Sequence, residues 1–256
     1  MGWQAMRGRL KALARNWAVA FLYPRPLVGL FYLPRFIRHC IKYRQMAGSR
    51  MVLLRDMQPC LGDWSFHTPV DPHYFYQGAW LARQLSKSIP AKHVDIGSSA
   101  LTMSVLSARV DTVFVDYRPL KLSLRGLTSV AGDILNLPFG SGSVFSVSCM
   151  HVIEHIGLGR YGEPLDPQGS IKAALELQRI LCPGGRLFLS LPIGHERVNF
   201  NAHRVHSPDS VLNMFPLLKL VEFSYVDDEG RFMEYRQPAA ATDLQYGCGM
   251  FVFKKP

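Results

Sequence analysis

Apolar and polar positions change rhythm near residue 92. Beyond it, short apolar runs recur and end in polar turns: "HVDIGS", "TVFVDYRP", "VFSVSCM", "RLFLSLP", "LKLVEFSYV" and "GCGMFVFKK". Runs of this length between turn residues predict buried strands. Among them, Ile171 to Leu181 has helical spacing and predicts a helix closed by Pro183-Gly184-Gly185. Such alternation indicates an open, mostly parallel sheet with helices on both faces.

The first part of the chain has a different period. Trp3, Met6, Leu10, Leu13, Ala14, Trp17 and Phe21 share one helical face, with Arg7, Lys11 and Arg15 on another stripe. Tyr23-Pro24-Arg25-Pro26 ends that helix. A second pattern sets Phe36, Ile37, Cys40 and Ile41 against Arg35, Arg38, His39 and Lys42. Residues 56–91 are rich in proline and aromatics and read as a loop entering a helix from about Tyr74 to Leu85. The expected organisation is a basic helical extension over 1–55, a connecting loop and helix over 56–91, and an α/β domain over 92–256.

Charge sharpens this division. The net charge is +10, and eleven of the 29 basic residues precede the first acid, Asp56. An amphipathic basic helix with Trp and Phe suits an anionic membrane surface, so residues 3–46 are expected to meet lipid or to pack on protein. Nucleic acid is disfavoured, because Trp and Phe add little to phosphate binding. The apolar runs 17–23 and 27–33 are far shorter than the roughly 20 residues a membrane span needs. The five cysteines form no Cys-x-x-Cys pair and suggest neither a disulfide framework nor a zinc cluster. A cytoplasmic location is expected, with a peripheral position on the cytoplasmic membrane face as the extension of that reading.

Ligands of open α/β sheets sit beyond the carboxyl ends of the strands. There the sequence places Asp95-Ile96-Gly97-Ser98-Ser99, Asp116-Tyr117, Gly132-Asp133-Ile134 and Cys149-Met150-His151. Three carboxylates in series can accept from an amine, a ribose diol and an exocyclic amino group. Singly, each aspartate fits an Asx turn or a cap as well.

"VDIGSS", "FVDYRP", "AGDILNLPF", "MHVIEHI" and "LQRILCPGGRLFLSLP", in this order, resemble class I S-adenosylmethionine-dependent methyltransferases over about residues 92–256. "EHIGLGRYGEPLDP" and "NFNAHRVHSP" are more similar to an uncharacterised bacterial branch associated with surface polysaccharides. The resemblance implies a Rossmann-like methyltransferase sheet, mostly parallel with an antiparallel last strand, and S-adenosyl-L-methionine as cofactor. It assigns Asp95, Gly97 and Ser98 to the cofactor's amino-acid end and Asp116 to the ribose. Tyr117 and Ile134 would flank the adenine, Asp133 would face its amino group, and Met150 and His151 would lie near the methyl. One departure from the family pattern is Ser99, which replaces a turn glycine and either obstructs the ligand or bonds to it.

His151-Val152-Ile153-Glu154-His155 matches an inverted zincin signature, but Gly157, Gly159 and Gly162 leave too little helix for it, and no metal is expected. At a strand end, His151, Glu154 and His155 can instead accept a proton and orient an acceptor, or merely brace the turn. The loops add Arg160, Tyr161, His195, Glu196, Asn201, His203 and Arg204 as candidates for a polar acceptor such as a glycan or sugar precursor. The expected function is methyl transfer to a hydroxyl of such an acceptor. The alternative is a non-catalytic, methyltransferase-like module for membrane-associated binding or assembly.

Overall fold

The computed structural model describes residues 26–48, 50–64 and 66–256. The helix expected over Trp3 to Phe21 lies outside them. The chain divides into two compact units, 1–70 and 71–256, a division that falls inside the expected connecting segment.

In the first unit, helix α1 (Pro26–Gln45) contains Pro34 and is followed by a 3-10 turn at Leu54–Asp56. Phe31, Ile37, Ile41, Tyr43 and Met46 are exposed beside the basic residues of α1. The Arg35 guanidinium lies 3.8 Å from the Trp64 ring centre and 4.9 Å from that of Tyr32. Among the described residues, no helix is long and apolar enough to cross a membrane.

The second unit opens with α2 (Pro72–Lys87), longer at both ends than expected. Asp71 caps it by accepting from the His73 and Tyr74 backbone N–H groups, and Pro72 occupies the first turn, where no donor is needed. Strands β1 (His93–Ile96), β2 (Thr112–Asp116), β3 (Leu127–Ala131), β4 (Val144–Met150) and β5 (Leu181–Ile193) run parallel. The short strands β6 (Arg197–Asn199) and β7 (His203–Val205) form a separate hairpin. Strands β8 (Lys219–Val226), β9 (Phe232–Met233) and β10 (Gly247–Lys254) complete the main sheet, in the order β3-β2-β1-β4-β5-β10-β8-β9. Strand β10 is antiparallel to both its neighbours, so the expected antiparallel last strand is present.

Helix α3 (Ala100–Leu106) connects β1 to β2, α4 (Gly169–Ile180) connects β4 to β5 and α5 (Pro208–Met214) connects β7 to β8. Helix α4 runs straight into β5, so Pro183-Gly184-Gly185 does not close it. Those glycines belong to a bulge instead: Val144 pairs with Leu181, but Ser146 pairs with Arg186. Strand β3 and the β6–β7 hairpin lie in segments whose periodicity predicts only connections. Polar residues interrupt the apolar pattern of each, Thr128 and Ser129 in β3 and Arg197, Asn199, His203 and Arg204 in the hairpin.

Side-chain alternation along the strands separates two cores. Val94, Ile96, Val115 and Cys149 pack with α4 and α5 residues such as Leu177 and Val211. Phe114 and Met150 face the other way, against Trp80, Met103 and Phe188. That one-residue step from Cys149 to Met150 decides what reaches the site.

Candidate functional site

A cavity of about 530 Å³ opens at the carboxyl ends of the parallel strands. One group of lining residues comes from strand ends: Gly97, Asp116, Tyr117, Arg118, Asp133 and Ile134. A second comes from the turn after β4 and its loop: His151, Val152, His155, Tyr161, Glu163, Pro164, Leu165 and Asp166, with Lys172 from α4.

Short-range bonds shape the first group. Asp116 Oδ1 accepts from the Arg118 N–H at 2.7 Å and Asp133 Oδ1 from the Leu135 N–H at 2.9 Å, so a ligand would meet the other oxygen of each. Gly97 has φ +66, a conformation suited to glycine, and its Cα faces Val152 closely. The Ser99 hydroxyl turns back to accept from the Thr102 N–H and caps α3. Its side chain is not part of the cavity lining.

Asp95, Ser98 and Met150 are absent from the lining, contrary to their expected ligand contacts. Asp95 is fully buried; it accepts from the Ser98 N–H and from the hydroxyls of Ser98 and Ser148. Ser98 Oγ accepts from the Met150 N–H at 3.0 Å. This network continues to His93, whose ring nitrogens lie 2.8 Å from the hydroxyls of Ser146 and Ser148. Burial pushes the Asp95 carboxyl up to about 6 and the His93 imidazole down to about 4. Asp95 therefore shapes the Gly97 turn from beneath, and Met150 points into the core.

The second group depends on long-range contacts. Ile153–His155 forms a single 3-10 turn, too short for the helical geometry of a zincin. His151 has φ 55, Nδ1 2.9 Å from Glu154 Oε1 and Nε2 3.3 Å from Cys248 Sγ. Burial opposes charge on His151, yet the Cys248 sulfur and the Glu154 carboxylate outweigh it and raise the imidazole well above its usual range. Glu154 is fully buried; burial alone would raise its carboxyl, but the His151 bond holds it low. Its Oε2 has no hydrogen-bond partner among the described residues.

His155 is placed differently. Its Nδ1 lies 2.6 Å from the Ala202 carbonyl, which requires the proton on that nitrogen. Its Nε2 is 3.8 Å from Glu154 Oε1, beyond hydrogen-bond range, and burial lowers its pKa. A neutral imidazole thus lines the cavity, and its Nε2 has no hydrogen-bond partner among the described residues.

Tyr161 stands between two guanidinium groups, with Arg118 at 4.8 Å and Arg160 at 5.1 Å from its ring centre. Arg160 also donates to the Ala202 carbonyl at 3.0 Å, and His203 packs edge-on to His155 at 6.4 Å. Arg204, expected to bind substrate, is buried; it donates to the carbonyls of Ile156 at 2.7 Å and Asp166 at 3.1 Å, and to Ser170 Oγ at 3.3 Å. It holds the loop closed. Glu196 accepts from Ser207 and Ser210 at the start of α5, and the His195 N–H donates to the Leu244 carbonyl. Asn201 lies in the turn between β6 and β7. None of these last three lines the cavity; local and inter-loop hydrogen bonds hold Glu196 and His195 elsewhere.

Sequence reasoning misses Arg118, Val152, Glu163, Lys172 and Asp166. Arg118 sits in the quoted "VDYRP", and Glu163 and Asp166 in the quoted loop, so their positions were visible but not their direction.

A family described as "Caenorhabditis protein of unknown function, DUF268" matches residues 140–242. No curated protein matches the chain. Among solved structures, a chain of a complex containing the Haloferax volcanii Trm112 methyltransferase activator is 18% identical, with a TM-score of 0.50, over 73% of this chain and 90% of that one. The N-methyltransferase NodS from Bradyrhizobium japonicum WM9, in complex with S-adenosyl-L-homocysteine, is 15% identical with a TM-score of 0.50, covering 86% and 97%. The [4+2]-cyclase SpnF is 12% identical with a TM-score of 0.51, covering 69% and 81%. The second unit therefore has the Rossmann-like fold of class I methyltransferases. At these identities the likeness concerns the fold, and SpnF illustrates that the fold does not fix the reaction.

Proposed function

We propose that the chain binds S-adenosyl-L-methionine and transfers its methyl group to a hydroxyl of a polar acceptor. The observation that carries this reading is one cavity lined by Gly97, Asp116 and Asp133 from the strand ends and by the neutral His155 from the facing turn. NodS, of the same fold, is described in complex with the demethylated cofactor, which supports the choice of ligand. Asp116 would hold the ribose and Asp133 the adenine amino group, with Tyr117 and Ile134 beside the ring. The cofactor would supply a methyl group on a sulfonium, ready for in-line displacement.

The chain's own residues then have distinct tasks. His155 Nε2 accepts the hydroxyl proton, and the Glu154 carboxylate stabilises the imidazolium that results. His151 is a positioning residue, since both of its nitrogens are engaged. Arg118, Tyr161 and Arg160 offer stacking and guanidinium donors suited to a glycan or sugar precursor. The exposed apolar and basic side chains of α1 support a role for residues 3–46 at an anionic membrane surface on the cytoplasmic side.

Calorimetry with S-adenosylmethionine and S-adenosylhomocysteine tests the first step: both should bind, and Asp116→Ala should weaken both. A second reading, a non-catalytic assembly module, is favoured by the sequestration of Asp95 and Met150 away from the cavity. Absence of binding for both ligands would sink the enzyme reading and leave that one.

A further inference from the structure

Beside the turn after β4, three donors converge from elements far apart in sequence. His73 lies in the first turn of α2, His151 directly follows β4 and Cys248 is the second residue of β10, and one ligand atom from each falls within 4.8 Å of the others. We propose that His73, His151 and Cys248 form a binding site for one thiophilic divalent cation, zinc.

Distances and donor types support this choice. A tetrahedral zinc ion, at about 2.3 Å from sulfur and about 2.1 Å from nitrogen, sets its donors about 3.5 Å apart. His151 Nε2 and Cys248 Sγ already stand 3.3 Å apart, so what remains is a small inward turn of the half-buried His73. Two imidazoles and a thiolate suit zinc and disfavour magnesium or calcium.

The surroundings match a metal site as well. Glu154 Oε1, 2.9 Å from His151 Nδ1, fixes the tautomer that presents Nε2 to the cysteine, the usual carboxylate–histidine–metal arrangement. Its Oε2 is buried with no partner among the described residues, so a fixed negative charge lies behind the ligand. His151 holds φ 55, a backbone conformation rare for a residue with a Cβ, in a position that aims its ring between Glu154 and Cys248. Tyr74 stacks on His151 at 5.3 Å, and Tyr246 tilts over His73 at 5.3 Å.

On binding, the one proton shared between Cys248 Sγ and His151 Nε2 is released to solvent, while His151 Nδ1–H stays on Glu154. The ion receives one lone pair from sulfur and one from each imidazole, leaving a fourth position for water. His155 takes no part, so the ligand set is unrelated to His-x-x-Glu-His spacing. A thiol nucleophile activated by His151 and Glu154 would use the same contacts, but Cys248 is fully buried and does not line the cavity.

The test uses the full chain stripped with a chelator and then dialysed against zinc or cobalt(II), with no methyl donor, so it is independent of the methyl-transfer reading. Expected are about one zinc per chain and a cobalt complex with a sulfur-to-metal charge-transfer band. Glu154→Gln should weaken zinc roughly 10–100-fold, and Cys248→Ser and His73→Ala should weaken it further. His73→Ala changes a half-buried helix residue, and the thermal unfolding of its metal-free form checks that it folds. The proposal is overturned by sub-stoichiometric zinc in the unmodified chain, by a cobalt spectrum without the sulfur band, or by equal affinity in Cys248→Ser and His73→Ala. Rapid alkylation of Cys248 that zinc does not slow would also overturn it and point to a free nucleophile.

Discussion

The strand-end residues between 96 and 135 and the turn and loop between 151 and 166 line one cavity and are held in place by opposite means. The first set is held by bonds across two or three residues, such as Asp116 to the Arg118 N–H and Asp133 to the Leu135 N–H. The second is held across 34 to 97 residues: Arg204 to Ser170, His155 to Ala202 and His151 to Cys248. Turn chemistry builds a binding edge locally, whereas the facing wall exists only after the sheet has formed. Damage to the first set should therefore cost affinity, and damage to the second should cost structure or turnover.

Arg204→Ala should show the largest effect. It strands buried carbonyls and the Ser170 hydroxyl, and a loss of about 3–5 kcal/mol in unfolding free energy is expected by urea titration. An unchanged midpoint would mean that the loop wall is not held by this clamp.

Next comes His155→Gln, which retains a donor to Ala202 but removes the base. Under the proposed reading, kcat falls roughly 10²-fold or more while cofactor affinity stays within about twofold. Burial keeps His155 neutral, with Arg160 and His151 also opposing its protonation and Glu154 and the Ala202 carbonyl favouring it. The acidic limb of kcat against pH should accordingly lie below the ordinary histidine value of 6.5. A limb unaffected by His155→Gln would assign the proton elsewhere.

Asp116→Ala should reverse that pattern, with roughly tenfold weaker cofactor binding, or about 1.4 kcal/mol, and little change in unfolding. Equal losses in affinity and stability would erase the distinction between the two regions.

The smallest effect concerns the polar network below Gly97. Between about pH 6.5 and 4 the unfolded chain protonates His93 while the native chain does not, so this group lowers stability as pH falls. Asp95 works the other way: the native chain protonates it below about 6, the unfolded chain only near 3.8, so stability rises as pH falls through that window. The two contributions nearly cancel, leaving less than about 1 kcal/mol. In His93→Asn only the Asp95 term remains, and urea unfolding from pH 7 to 4 should show the variant gaining stability relative to the parent as pH falls. Parallel profiles would show that the two groups do not titrate as described.

Local pattern already determines most of the fold and one edge of the site. Apolar runs bounded by turns mark β1, β2, β4, β5, β8 and β10, and the carboxylates at Asp116 and Asp133 are readable because an aspartate after a strand reports its own turn. Strand β3 and the β6–β7 hairpin escape notice because their stability comes from pairing with neighbours instead of an apolar face of their own. The direction of a side chain is harder to read still. Asp95 and Met150 stand at strand ends, yet alternation along the strand and a network of serines turn both away from the cavity. Arg204 looks like a surface ligand and is a buried strut.

The sequence alone thus determined the alternating α/β architecture and the residues that close its turns, because periodicity and turn chemistry act over a few positions. Only the tertiary structure decided that His151 meets His73 and Cys248 and that His155 Nε2 lacks a hydrogen-bond partner among the described residues. Those relations depend on the order of strands in the sheet, which places β10 beside β5 and brings residues nearly a hundred positions apart within bonding distance.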